Sequence, residues 1–240
     1  MLVKVGLCGW TLSMGEYFDR FPVVEVQQTF YEPPAPRTLL RWREAAPEGF
    51  EFTLKAWQLI THEASSSTYR RLRTPLTAAE RAECGRFRWT ATVQRGWEAT
   101  VESARALRAT SVLFQCPASF RPSEENVGHM RRFFTSVERQ GLRFLWEPRG
   151  PAWTGEIVRP LCESLDLVHV VDPLVNRTTT PQFVYFRLHG IGGYRHVYSE
   201  AEPAAVVAML EPDAPNYVMF NNLPRDADSA RFEAMLGKRQ

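Results

Sequence analysis

Cysteine is scarce in this 240-residue sequence, and long apolar runs are absent. The four cysteines, Cys8, Cys84, Cys116 and Cys162, form no Cys-x-x-Cys pair and have no histidines nearby at zinc-finger spacing. The sequence therefore predicts neither a disulfide scaffold nor a structural zinc ion. No window approaches the ~18 consecutive apolar residues that a membrane-spanning helix requires, so a membrane is not an expected partner.

An excess of charge of one sign is also lacking. Lys and Arg total 29 against 27 Asp and Glu, which gives a net charge of +2. This faint basic balance permits anionic ligands but does not require them. The N-terminal residues lead directly into an apolar alternating run, without the basic region and cleavage site of a signal peptide, and this predicts a cytoplasmic protein.

Short segments rich in branched and aromatic residues alternate with stretches of helical period, a pattern that predicts an α/β fold with parallel strands. Eight such units in this length predict a single (β/α)8 TIM-type barrel domain over residues 1–240. The helix after the sixth strand is imperfect, because Pro173–Gln182 is too short, and a long insert, Gln58–Thr110, follows the third strand. A doubly wound sheet is the alternative. The eight predicted strands are Val3–Trp10, Val23–Phe30, Phe50–Trp57, Ser111–Pro117, Arg143–Arg149, Leu167–Asp172, Phe183–Gly190 and Tyr217–Asn222.

Alternate residues of a strand point to opposite faces, and in this chain the two faces differ in polarity. One parity is apolar and suits a face that helices cover, as in Val24 and Val26 or Phe52 and Leu54. In a barrel the other parity points inward, toward the carboxyl ends of the strands where barrel enzymes build their sites. That parity carries Glu25, Gln27, Thr29, Thr53, Lys55, Gln115, Glu147, Arg149, Arg187, His189 and Asn221.

Several strings in the chain resemble those of one known family. They include Cys8-Gly-Trp10, Val24-Glu-Val-Gln-Gln-Thr-Phe-Tyr31, Trp146-Glu-Pro-Arg149, Tyr185-Phe-Arg-Leu-His-Gly190 and Phe220-Asn-Asn222. In this order, and from the first predicted strand to the last, they resemble the YecE-like family, or domain of unknown function 72. The resemblance implies a TIM-type barrel, in agreement with the strand count, and it brings no settled activity.

Four residues of the polar parity are catalytic candidates: Glu147, His189, Lys55 and Glu25. Glu147 is the first choice for a general acid or base, because neighbouring arginines can set its protonation, and His189 is the second. We expect Lys55 to be the counter-ion of Glu25; if it is desolvated it could instead form a Schiff base. The alternative for the whole set is a structural ion-pair network, since buried charges must be partnered.

Candidate ligand-binding residues lie on the loops beyond the strand ends. The glycine-rich loop after the seventh strand stands where barrels often bind phosphate, and two arginines could hold an anion bidentately. The segment Gln58–Thr74, with Arg70, Arg71 and Arg73, is a candidate lid or basic rim. The predicted substrate-binding residues are Trp10, Tyr31, His62, Gln115, Arg149, Trp153, Arg187, Gly192, Gly193, Tyr194, Asn221 and Asn222.

A divalent metal is the one cofactor that the residue types suggest, although no His-Glu-x-x-His motif supports it. Its candidate ligands are Glu25, Glu147, Asp172 and His189. The leading hypothesis is an enzyme that acts on an anionic, phosphate-bearing substrate, a small molecule or a nucleic acid, by a hydrolytic or nuclease-like reaction. The alternatives are an aldolase- or isomerase-like enzyme for a phosphorylated sugar, with Lys55 or Glu147 carrying the chemistry, and a non-catalytic barrel that binds nucleic acid or protein.

Overall fold

Eight parallel strands form the centre of the fold in the computed structural model, which describes residues 1–237. They are β1 Leu2–Cys8, β2 Val23–Val26, β3 Glu51–Lys55, β4 Ser111–Gln115, β5 Arg143–Glu147, β6 Val168–His169, β7 Val184–Leu188 and β8 Pro215–Phe220. Hydrogen bonds join them in the order β6-β5-β4-β3-β2-β1-β8-β7, and a parallel bridge between Val171 and Phe186 links the two edges. The nearly closed barrel confirms the predicted (β/α)8 fold, and the doubly wound alternative is wrong.

Helices connect the strands, and the longer ones cover the outside of the barrel. They are α1 Met14–Arg20, α2 Gln28–Tyr31, α3 Pro36–Ala45, α4 Gln58–Thr61, α5 Ala78–Glu83, α6 Ala91–Leu107, α7 Glu124–Ser136, α8 Gly155–Leu165, α9 Ala201–Val207 and α10 Arg225–Gly237. Within residues 1–237 no helix separates β6 from β7, which agrees with the short Pro173–Gln182 segment. None of the helices in this range has the length and apolarity needed to cross a membrane.

Most strand boundaries differ from the sequence prediction by a few residues, and two differences near the N-terminus change an element. The predicted strand Val23–Phe30 ends at Val26, because the chain turns into α2, and the Thr29 hydroxyl lies 2.7 Å from the carbonyl oxygen of Lys55. Helix α1 was not predicted. It has seven residues with only Tyr17 buried, too few for a visible apolar period, and it begins at a capping box formed by Ser13 and Glu16.

The core has two layers that follow the two strand parities. The apolar parity faces the helices and carries many aromatic rings, with Phe114 packed among Trp97, Phe133, Phe134 and Phe144. The other parity fills the barrel and combines aliphatic side chains with polar ones. It is polar even at the amino-terminal end, where Glu51 accepts hydrogen bonds from Lys4 and Tyr217. The parity prediction is thus confirmed for the strands.

The segment after β3 is anchored to the barrel and is not a loose lid. The Tyr69 hydroxyl donates to the carbonyl oxygen of His62 at 2.8 Å, and the Tyr69 ring packs in a small core with Leu59, Ala64 and Cys84. The segment therefore forms a fixed wall above the carboxyl end of β3, and the lid prediction has no support in its contacts.

We expect Phe114→Ala to lower the free energy of unfolding by about 3–5 kcal/mol, because it leaves a cavity among four aromatic rings. The control is Tyr194→Ala, a position that is 58% exposed, where a change within about 0.5 kcal/mol is expected. Urea unfolding of both variants measures the difference. Equal losses would contradict the two-layer description of the core.

Candidate functional site

The carboxyl ends of the strands bring seven polar side chains together at one mouth of the barrel. Lys55, Gln115 and Glu147 are the last residues of β3, β4 and β5, and the register pairs Gln115 with Glu147 across neighbouring strands. We call the group the mouth cluster: Glu25, Lys55, Gln115, Glu147, Arg149, Arg187 and His189. The sequence predicted all seven on one parity, and the structure does bring them together.

Arg187 lies at the centre of the cluster and is fully buried. Its Nη2 and Nε donate to Oε1 and Oε2 of Glu25 at 2.8 and 3.1 Å, and its Nη1 donates to Oε2 of Glu147 at 2.5 Å. A guanidinium that already neutralises two carboxylates and has no exposed surface cannot receive an incoming anion. The predicted substrate-binding role of Arg187 is therefore corrected to a structural one.

Glu147 has four cationic or polar neighbours within hydrogen-bond distance. Besides Arg187, the Nη2 of Arg149 lies 3.0 Å, the Nε2 of His189 lies 2.8 Å and the Nε2 of Gln115 lies 3.5 Å from its Oε1. Burial alone would raise the pKa of Glu147, but the charges of Arg187, Arg149 and His189 outweigh burial and hold the pKa well below its usual value. Glu147 is therefore ionised at neutral pH, which does not suit the predicted role of general acid.

His189 uses both of its ring nitrogens within the cluster. Its Nδ1 lies 2.9 Å from Nδ2 of Asn221, and its Nε2 lies 2.8 Å from Oε1 of Glu147 and 2.9 Å from Nη2 of Arg149. Neither ring nitrogen is therefore left without a partner inside the cluster. His189 positions the carboxylate of Glu147, and the predicted ligand-binding residue Asn221 positions the ring of His189.

Lys55 differs from the two arginines of the cluster. Among residues 1–237, no carboxylate oxygen lies within 4.0 Å of its Nζ. The Nζ donates to Oε1 of Gln115 at 2.6 Å and lies 3.8 Å from the ring centroid of Phe30. Burial lowers the pKa of Lys55 to about 7, and the charge of Arg187 acts in the same direction. The expected Lys55–Glu25 ion pair is wrong, since Arg187 takes both oxygens of Glu25.

The four candidate metal ligands do not form a metal centre. Arg187 lies between Glu25 and Glu147, while both oxygens of Asp172 accept backbone N–H groups, from Leu174 and His189. Across residues 1–237, no group of three or more His, Cys, Asp or Glu side chains is placed to hold a metal ion. The residues present therefore do not fit the predicted divalent metal.

The glycine loop after β7 is partly closed by its own hydrogen bonds. The amide of Gly193 donates to the carbonyl oxygen of Gly190 and that of His196 donates to Gly193, so these two donors are used within the loop. Glu202 accepts from the Ser199 amide and contacts His196 at the start of α9, where a phosphate would lie. Gly192 and Tyr194 are exposed on this loop, and an anion site there stays a prediction.

Three more predicted binding residues have packing roles. Trp10 lies edge-on to Tyr17 in the outer layer, and Trp153 stacks on Phe120 and donates to its carbonyl oxygen at 2.7 Å. Asn222 is fully buried and donates to the side chain of Asp228. The sequence placed them at strand ends correctly, but the structure turns their side chains away from the mouth cluster.

His62 and Tyr31, in contrast, do line the Lys55 side of the mouth. The His62 ring packs edge-on against Phe30 at 4.9 Å, and its Nδ1 lies 2.8 Å from the Thr61 hydroxyl. Burial, with the charges of Lys55 and Arg149, lowers the pKa of His62 to about 3, so the ring is neutral. Sequence reasoning missed Phe30, the ring that Lys55 and His62 share, because it assigned position 30 to a strand.

Tyr185, inside the barrel, was also missed. Its hydroxyl donates to Oε2 of Glu25 at 3.0 Å and lies 2.9 Å from the Thr53 hydroxyl. Its parity with Arg187 on β7 was the available signal.

Comparison with known proteins identifies the family of this chain. The family model described as "Protein of unknown function DUF72" matches residues 8–239. The chain belongs to the DUF72 family. It is 33% identical over 73 residues to UPF0759 protein YecE of Escherichia coli K12, a match that covers 27% of each protein.

Solved structures agree with this assignment. A DUF72 family protein of Enterococcus faecalis V583 superimposes with a TM-score of 0.75 at 20% identity, covering 99% of this chain and 94% of that one. One from Thermotoga maritima MSB8 has a TM-score of 0.70 at 22% identity, covering 99% and 100%. A D-psicose 3-epimerase structure, solved in the presence of D-fructose, has a TM-score of 0.57 at 12% identity over 98% of both chains. At these identities the likeness establishes the barrel fold.

We expect Arg187→Met to destabilise the protein by about 3–5 kcal/mol near pH 7, because it leaves two buried carboxylates without their shared partner. Without the charge of Arg187, burial should raise the pKa of Glu147 in the variant. Acidification toward pH ~5 would then protonate Glu147 and shrink the deficit. In the wild type the sign is opposite. The low pKa of Glu147 adds stability above the unfolded pKa, and this is lost as pH falls toward the folded pKa.

Thermal unfolding of both proteins between pH 5 and 8 measures this. The matched control is Arg149→Met, whose side chain is 38% exposed and should cost less. A deficit that does not change with pH would contradict the assigned ion pairs.

Proposed function

We propose that this protein is an aldolase- or isomerase-like enzyme in which Lys55 forms a Schiff base with the carbonyl group of a phosphorylated sugar or a similar anionic substrate. The observation that carries the proposal is a buried lysine at the barrel mouth with an amide, Gln115, as its polar partner in place of an acid. A neutral amine is the nucleophile that attacks a carbonyl, and desolvation without a counter-ion is how proteins obtain one near neutral pH.

The scarcity of lysine among the basic residues of the chain supports this role for Lys55. Of the 29 basic residues, 26 are arginine, and the lysines are Lys4, Lys55 and Lys238. Arginine serves wherever the chain needs a permanent cation, as Arg187 does inside the barrel. An arginine cannot lose its proton in a protein and forms no Schiff base. A lysine at position 55 therefore supplies a reaction that arginine, the commonest basic residue of this chain, cannot carry out.

In the proposed step the lone pair of Nζ attacks the substrate carbonyl carbon to form a carbinolamine. A proton taken up from solvent makes the carbinolamine hydroxyl a leaving group, and loss of water leaves a protonated imine. The imine draws electrons from the adjacent carbon, which eases loss of its proton in an isomerase or cleavage of the next carbon–carbon bond in an aldolase. Arg149 would hold the anionic group. Its Nε and Nη2 bind Glu147, while its Nη1 has no partner among residues 1–237 and the side chain is 38% exposed.

The fold is compatible with sugar chemistry, since a D-psicose 3-epimerase and a xylose isomerase domain containing protein from Salmonella typhimurium LT2 have similar barrels. A hydrolytic or nuclease-like reaction has less support. The general acid first expected for it, Glu147, is ionised, and the expected metal ligands do not converge.

Reductive trapping tests the Schiff base directly. With dihydroxyacetone phosphate or glyceraldehyde 3-phosphate and cyanoborohydride, we expect one covalent adduct per chain, which peptide mass spectrometry should place on Lys55. Lys55→Met should abolish it. The control is Lys4→Met, which removes a lysine that is bound to Glu51 at the other end of the barrel and should leave the adduct unchanged. Adducts spread over the three lysines, or an adduct that survives in Lys55→Met, would overturn the proposal.

Gln115→Glu tests why the amine is free. A carboxylate in contact with Nζ should raise the pKa of Lys55 from about 7, so the midpoint of the pH profile for trapping should move upward and trapping at pH 7 should slow. Gln115→Met, which removes the hydrogen bond without adding charge, is the matched control and should not move the midpoint upward. Identical pH profiles for Gln115→Glu and the wild type would show that the neighbour of Lys55 does not control its protonation.

A further inference from the structure

We infer that Arg71, lying on the ring of Tyr31, forms a second anion-binding subsite beside the mouth, so that the substrate carries an anionic group at each end. The proposed function supplies only the position of the carbonyl, at Lys55; the subsite itself depends on a separate set of contacts.

The first of these contacts joins Arg71 to an aromatic platform. The guanidinium carbon of Arg71 lies 3.5 Å from the ring centroid of Tyr31, a close cation–π contact. Arg71 is exposed, and it stands at the end of the 3₁₀ turn Ser67–Arg71. An arginine that already rests on a ring has fewer conformations to lose when an anion binds.

Arg71 also lacks a counter-ion, whereas three arginines that follow it in the chain have one. Arg73 pairs with Glu32 at 3.6 Å, Arg86 with Glu63 at 2.8 Å and Arg95 with Glu80 at 2.5 Å. In the described part of the chain, no carboxylate oxygen lies within 4.0 Å of Arg71 or of its exposed neighbour Arg70. The rim therefore presents uncompensated positive charge beside Tyr31.

The platform is rigid, because the end of α2 is tied to the start of the segment after β3. The carbonyl oxygen of Tyr31 accepts from Nε1 of Trp57 at 3.2 Å and from Nε2 of Gln58 at 2.8 Å. Tyr69, two residues before Arg71, is itself bonded to the carbonyl oxygen of His62. The backbone at both ends of the Arg71–Tyr31 contact is thus held in place, and this favours a preorganised site.

A short series of contacts connects this platform to the reacting amine. The Nζ of Lys55 lies 3.8 Å from the Phe30 centroid, and the Phe30 and Tyr31 rings are 5.1 Å apart. Arg71 in turn contacts the Tyr31 ring. A substrate with its carbonyl at Lys55 could thus extend one anionic group toward Arg149 and the other toward Arg71, as an open-chain sugar bisphosphate or a phosphorylated sugar acid would.

Calorimetry with two probes tests the subsite without any Schiff base, because neither contains a carbonyl. We expect pentane-1,5-diol bisphosphate to bind the full chain at least ~10-fold more tightly than pentyl phosphate, since it gains a second charge-assisted contact. Arg71→Met should remove most of that advantage and leave the affinity for pentyl phosphate within about twofold, whereas Arg149→Met should weaken both probes. Tyr31→Leu, which removes the platform, should resemble Arg71→Met.

The matched control is Arg95→Met, on the outer helix α6 and paired with Glu80, which should change neither affinity. Equal binding of the two probes by the wild type, or a bisphosphate preference that survives Arg71→Met in a protein with unchanged thermal stability, would overturn the inference. Failure of reductive trapping with the bisphosphate preference intact would count against the Schiff base alone, so the two proposals fail separately.

Discussion

The rest of the site depends on one buried guanidinium. Arg187 is fully enclosed by the barrel, and a charge in that position is tolerated only when its partners are charged and hydrogen bonded. Glu25 and Glu147 meet this need from opposite sides. Because both carboxylates are committed to Arg187, no acid remains within 4.0 Å of Lys55 in the described chain. Burial therefore lowers the pKa of Lys55 to about 7, against the weaker, opposite effect of the charges of Glu25 and Glu147.

Strand parity predicted the mouth cluster from the sequence because the side-chain period of a strand is a local property of the backbone. It placed Glu25, Lys55, Glu147 and Arg187 on one face without knowledge of their partners. The same rule could not decide which acid meets which base. Glu25 neighbours Thr53 through the register of β2 and β3, while the cation that binds it projects from β7. Pairing across a barrel is set by side-chain length and closure, and neither is visible in strand spacing.

Predictions beyond the strand ends succeeded less often, and for a physical reason. A loop residue has no period, so its direction is decided by whichever tertiary contact satisfies its polar atoms. Trp153 turns toward the outer layer because its indole N–H finds the carbonyl oxygen of Phe120, and the amide of Gly193 is spent on Gly190. The role of Phe30 was not predicted for a related reason. Strand β2 ends at Val26, four residues before the end of the predicted strand.

The likeness to sugar epimerases shows how far a shared barrel can guide chemistry. The fold determines that polar side chains gather at the carboxyl ends of the strands, and DUF72 relatives share that frame at about one residue in five. The reaction depends on which of those side chains form ion pairs and hydrogen bonds with one another. In this chain a guanidinium occupies the space between the two acids of the mouth, so their charge is spent inside the protein. The amine of Lys55 is the basic group of the mouth that has no carboxylate partner. For that reason the proposed chemistry begins with carbon–nitrogen bond formation and not with an acid or a bound cation.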